Sequence, residues 1–135
     1  HICRKDFPCH SLVSQLNAEQ RDCFNHIINH VRHNSESNSL HLFVTGGAGT
    51  GKSLLIKALY QGLTRHYDTQ RERDLLNPSV LLCAFTGKAA FNINGPTLHS
   101  LFHLPVNRDE LNILSHYISN TLTVELSELK VVIID

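Results

Sequence analysis

Methionine and tryptophan are absent from the 135 residues, and neither sign of charge is in excess, twelve Lys and Arg standing against twelve Asp and Glu. Without a Met even at position 1, and with an apolar run at the last residue, the chain reads as a fragment of a larger protein. A formal charge of zero excludes a uniformly basic surface that would hold nucleic acid by charge alone. Any polyanion has to be gripped locally. Long hydrophobic runs are missing too. The longest, Val80 to Phe85 and Val131 to Ile134, fall far short of the roughly 20 residues of a bilayer-spanning helix, so no membrane segment is expected. His1 to Phe7 holds no apolar core of a secretion signal. Cys3, Cys9, Cys23 and Cys83 form no Cys-x-x-Cys pair, which fits reduced thiols in an intracellular compartment better than a disulfide framework.

What is present is one domain's worth of chain with 41% hydrophobic residues, enough to bury a core. Ten histidines would turn the neutral chain cationic on acidification, since their ordinary pKa is about 6.5. Residues 1–15 lack a clean period and read as an entry segment. Asn17 then looks like a helix N-cap, with Gln20 placed to reach back as in a capping box, and Cys23, Phe24, Ile27, Ile28 and Val31 follow as one buried stripe. Leu40 to Thr45 reads as a buried parallel strand, and Leu55, Leu59 and Leu63 predict a helix over about 51–67. After a polar connection closed by Pro78, Ser79 to Phe85 repeats the buried-strand pattern. Short helices are expected over Gly87 to Asn94 and Thr97 to Phe102, separated by the Gly95-Pro96 break. A third amphipathic helix is expected around Leu111, Leu114 and Ile118, and Val131 to Asp135 is a last apolar strand ending in an acid. Strands alternating with helices imply an α/β domain whose parallel sheet is covered on both faces.

The strongest chemical signal is Gly46-Gly47-Ala48-Gly49-Thr50-Gly51-Lys52-Ser53, which fits G-x-x-x-x-G-K-[ST] between an expected strand and an expected helix. Glycines let successive N–H groups converge on one concavity, to which the helix N-terminus adds partial positive charge, and such a nest binds phosphates. Lys52 would reach the β- and γ-phosphates and the Ser53 hydroxyl would ligate Mg²⁺. The bland reading is a glycine-rich turn without ligand. Asp135, ending an apolar strand, is placed by the same logic on the metal side, against the alternative of a solvated strand end.

Leu16-Asn17-Ala18-Glu19-Gln20, the glycine-rich loop, the stretch Thr86 to Ser100 (TGKAAFNINGPTLHS) and VVIID resemble, in order and spacing, the first motifs of Pif1-like DNA helicases of superfamily 1. Similarity to RecD-like helicases is also present through Thr86 to Ala90. The resemblance covers roughly residues 14–135 and implies a P-loop, RecA-like parallel sheet with helices on both faces. Residues 16–135 would be a partial ATP-binding domain, incomplete at its C-terminus. It implies ATP and Mg²⁺ as cofactors, with Gln20 reading the adenine edge, although the capping box is an equal use of that side chain. It also places Thr86, Gly87, Lys88, Asn92 and His99 in a DNA-contacting motif, gripping single-stranded DNA without sequence readout; a capped turn with His99 packed on Phe102 is the plain alternative.

Helicases of this kind need a second RecA-like domain, and many ATPases of the class place a water-polarising Glu after the strand-terminal Asp. Neither is within the sequence, so this piece is expected to bind nucleotide far better than to hydrolyse it. With a further strand also missing, it is expected to expose unpaired parallel edges with apolar faces. The parent would translocate 5′ to 3′ on single-stranded DNA and unwind duplex, in the nucleus or a mitochondrion, and the resemblance brings DNA repair, recombination and telomere maintenance with it. The rivals are a P-loop ATPase without DNA work and a nucleotide-dependent binding module. Two further groupings, His26, His30 and His33 on one helix face and Cys3, Cys9 and His10, could in principle ligate a transition metal. The first is the ordinary pattern of a solvated face, and the second lacks a fourth ligand nearby.

Overall fold

A computed structural model describes residues 12–33, 39–70, 77–105 and 115–135. The chain forms two compact units, whose described parts fall within residues 5–63 and 64–135.

In the first unit, helix α1 (Ala18–His33) begins where the capping pattern places it. The Asn17 side chain accepts from the Gln20 N–H at 2.9 Å, and the Gln20 side chain accepts from the Asn17 N–H at 3.0 Å, so two donors that a helix start leaves orphaned are satisfied reciprocally. Phe24 and Ile28 are the buried centre of the expected stripe, with Cys23, Ile27 and Val31 half-buried at its margins. Helix α2 (Lys52–Gln70) starts at the end of the glycine loop, and its part within this unit, up to Leu63, buries Leu55, Ala58, Leu59 and Leu63 along one face. Phe24 and Ile28 lie against Gly62, where an added Cβ would stand 3.1 Å from the Phe24 ring.

Leu40 to Thr45 departs from expectation. It forms no strand, and Leu42, Phe43 and Val44 are exposed, Phe43 at 89%. β-prone side chains supply neither ladder partners nor cover, and a strand of this apolar kind needs both. Among the described residues this segment belongs to no ladder.

The second unit is built on β1 (Val80–Cys83) and β2 (Val131–Ile134), which pair in parallel with Val80 opposite Val131 and Cys83 opposite Ile134. Between them lie α3 (Gly87–Ile93), α4 (Leu98–Phe102) and α5 (His116–Glu125). Thr86, Thr97 and Ser115 cap the three helices through hydroxyls that accept from Ala89, Ser100 and Ile118 N–H. Asn94 closes α3 in the left-handed region at φ 54°, and Gly95 then passes so near β1 that a Cβ there would stand 2.8 Å from the Leu82 carbonyl oxygen. That approach lets the next residues join the sheet end. Ala84 N–H donates to Pro96 O, and Leu98 N–H donates to Ala84 O at 2.7 Å.

The third amphipathic helix expected around Leu111, Leu114 and Ile118 falls largely outside the described residues, which exclude Leu111 and Leu114; Ile118 lies in α5, His116–Glu125. Thr121 and Thr123 return their hydroxyls to the carbonyls of Tyr117 and Ser119, so two residues that weaken the helical pattern in sequence are accommodated on its exposed side. β1 is almost wholly buried, whereas Val132 and Ile134 of β2 are 40% and 55% exposed, although Leu81 and Cys83, their register partners on the same face of β1, are buried.

Candidate functional site

In the first unit, the glycine-rich loop takes the conformation its composition permits. Gly49 and Gly51 sit at φ 76° and 82°, where a side chain is strained, and between them the loop reverses into the first turn of α2. Leu54 and Leu55 N–H both donate to Gly51 O, so the helical ladder starts at the last glycine and the loop precedes the positive end of the helix.

Three side chains tie the loop's carbonyls. Lys52 Nζ donates to Gly46 O at 2.8 Å and Gly47 O at 2.7 Å. Thr50 Oγ1 donates to Gly47 O at 2.9 Å. Gln20 Nε2, arriving from α1, donates to Thr50 O at 2.8 Å. Gly51 leaves room for that amide, since a Cβ on it would lie 2.5 Å from Gln20 Nε2. The carbonyls of Gly46, Gly47 and Thr50 are thus all taken up by side-chain donors. The ammonium lies over the loop, held by oxygens it would exchange for phosphate oxygens, and the Ser53 hydroxyl is exposed in the first helical turn. Such a set of N–H donors, one cation, a hydroxyl and a helix start is chemically suited to a polyphosphate with a hard divalent cation.

Gln20 thus performs its capping role and touches the glycine loop at once. The second contact spans thirty positions and has no local signature, so the sequence alone could not reveal it.

In the second unit, the carboxyl ends of both strands carry expected site residues. Asp135 N–H donates to Cys83 O at 2.9 Å and Phe85 N–H donates to Asp135 O at 3.1 Å, which extends the ladder one step past β2 and fixes Asp135 alongside the turn into α3. Thr86 is the α3 N-cap and Gly87 its first residue, while Lys88 and Asn92 are exposed on α3. His99 stands edge-on to Phe85, ring centroids 5.5 Å apart, so its packing partner is Phe85 rather than Phe102. The cause is the parallel bridge between Ala84 and Thr97, which brings the start of α4 beside the end of β1. Phe85 itself remains 64% exposed.

Among the described residues, no group of three or more His, Cys, Asp or Glu could hold a metal ion, so His26, His30 and His33 form no such site. Cys3, Cys9 and His10 lie outside the described residues. No described helix is long and apolar enough to cross a membrane. Burial raises the pKa of the Cys23 and Cys83 thiols by desolvation, which makes both poor nucleophiles at neutral pH.

No solved structure matches the chain significantly. Among curated proteins, it is 36% identical over 86 residues to "ATP-dependent DNA helicase PIF7" of Trypanosoma brucei brucei, a match that covers 64% of this chain and 7% of that protein. To "ATP-dependent DNA helicase PIF1" of Candida albicans it is 46% identical over 59 residues, 44% of this chain and 6% of the relative. "ATP-dependent DNA helicase PIF4" of Trypanosoma brucei brucei is 43% identical over 65 residues, 48% of this chain and 7% of its own length. The chain therefore spans less than a tenth of each of these relatives. The family model described as PIF1-like helicase matches residues 15–135, which takes in the capped start of α1, the glycine loop, the capped turn after β1 and Asp135. On that span, the chain belongs to the PIF1-like helicase family.

Proposed function

We propose that this chain is the nucleotide-binding portion of an ATP-dependent DNA helicase, a P-loop, RecA-like domain. The parent protein couples Mg-ATP hydrolysis to 5′-to-3′ movement on single-stranded DNA and to duplex unwinding. The observation that carries the reading is the loop of residues 46–53, with Lys52 held over it and the helix start behind it. In this scheme the backbone N–H groups of Gly47 to Lys52 would receive the phosphates, Lys52 would neutralise the β- and γ-phosphates and Ser53 would serve as a metal ligand; Asp135, by its place at the end of an apolar strand, is proposed as the metal-side acid. When bound, Mg²⁺ would neutralise phosphate charge; the exposed Ser53 hydroxyl in the first helical turn is the kind of hard oxygen donor it takes.

DNA is assigned to the turn after β1. The exposed Thr86, Gly87, Lys88 and Asn92, with the half-buried His99, combine small, polar and cationic groups, as sequence-independent grip on a phosphate backbone requires. A second RecA-like domain of the parent chain completes the cleft. The test is the ATPase rate of the full-length protein with and without single-stranded DNA. Stimulation by DNA that is lost in Lys52→Met is expected, and an ATPase indifferent to DNA would remove the helicase reading in favour of a P-loop ATPase without DNA work.

A further inference from the structure

Gln20 is bonded at both ends of its amide, and the two bonds do different things. Its oxygen accepts from Asn17 N–H and closes the capping box; its nitrogen donates to Thr50 O and reaches the glycine loop. The Thr50 carbonyl and the Gly51 N–H belong to one planar trans peptide and point in opposite directions. Whatever fixes the carbonyl also aims that N–H. Lys52 and Thr50 tie the Gly46 and Gly47 carbonyls in the same way, but both belong to the loop, and Lys52 has to leave those oxygens to reach a phosphate. Among the described residues, Gln20 is the side chain from outside the loop whose tie can persist when the lysine turns away. Gly51 has no Cβ to push that amide away, and one placed there would stand 2.5 Å from Gln20 Nε2.

We infer that Gln20 is a positioning residue for the triphosphate: it holds the Thr50–Gly51 peptide so that the loop's N–H groups face the phosphates, and its effect on nucleotide affinity is independent of the base. The inference rests on reading the loop as a triphosphate site and adds to it a role distinct from recognition of adenine. Because one net hydrogen bond is at stake, its loss should weaken binding about fivefold, the ratio that corresponds to about 1 kcal/mol.

The experiment measures dissociation constants of the full-length protein for Mg-ATP, Mg-GTP and inorganic tripolyphosphate, which has no base. Gln20→Met should weaken all three by the same factor of about five, leaving the ATP-to-GTP ratio unchanged. Asn17→Ala removes the cap alone and should leave all three within about twofold of wild type. Tripolyphosphate bound normally by Gln20→Met while ATP is lost overturns the inference in favour of base reading. Equal losses in Asn17→Ala overturn it in favour of helix stability. If Gln20→Met does not fold, Gln20→Glu keeps the acceptor for Asn17 N–H but not the donor for Thr50 O, and undiminished tripolyphosphate binding by that variant also overturns the inference. Lys52→Met separates the two layers, since wild-type tripolyphosphate affinity there would refute the loop site itself.

Discussion

Replacing Gly51 by Ala, with Gly49→Ala as its partner, turns the loop's geometry into a measurable difference. Both glycines have positive φ, 76° and 82°, so each substitution carries a left-handed penalty of roughly 1–2 kcal/mol. The surroundings differ. A Cβ at Gly49 meets nothing within 4 Å, whereas one at Gly51 lies 2.5 Å from Gln20 Nε2. To restore ordinary contact the amide must retreat by about 1 Å, which takes a 2.8 Å hydrogen bond out of bonding range. Gln20 is the flexible partner and is the group that moves, so the cost is its two bonds, to Thr50 O and from Asn17 N–H, at about 1 kcal/mol each. An excess of about 2 kcal/mol over Gly49→Ala follows, concentrated at the start of α1. Hydrogen exchange of the nucleotide-free, full-length protein reads this directly. The Asn17 amide, bonded to Gln20, should exchange roughly tenfold or more faster in Gly51→Ala than in Gly49→Ala. Equal exchange at the start of α1 in the two variants would refute the coupling between loop and helix.

Lys52→Met should weaken Mg-ATP binding by about 10–100-fold, the loss of a charge-assisted contact to phosphate, and a fluorescent-nucleotide titration at wild-type affinity would contradict the assignment. Gly95→Ala should destabilise the second unit by about 1–3 kcal/mol because the obstacle is the Leu82 carbonyl, which is backbone and cannot step aside; an unchanged unfolding temperature would contradict the packing. Cys83, wholly buried and with its pKa raised by desolvation, stays a protonated thiol to higher pH than a free cysteine. Its alkylation by iodoacetamide in the folded protein should therefore be slow at neutral pH and rise only above the ordinary thiol range, and full-rate labelling at pH 7 would be inconsistent with its burial.

Local signals in the amino-acid order were enough to place most of the parts. Asn17 and Gln20 mark the start of α1 because a cap and its reciprocal bond lie within one helical turn. Leu55, Leu59 and Leu63 mark the buried face of α2 because the helical period brings them together. The glycine-rich stretch specifies its own left-handed turns, and Thr86 and Thr97 specify theirs by capping, since each interaction closes over a few residues. Tertiary structure decided whatever depends on a distant neighbour. Among the described residues it left 40–45 outside any ladder despite a strand-like composition, because pairing and cover cannot be supplied by the strand itself. It exposed one face of β2 and seated His99 on Phe85 through a bridge to Ala84. It also joined Gln20 to Thr50, for the spacing between a helix start and a loop thirty residues on carries no period, only the path of the folded chain.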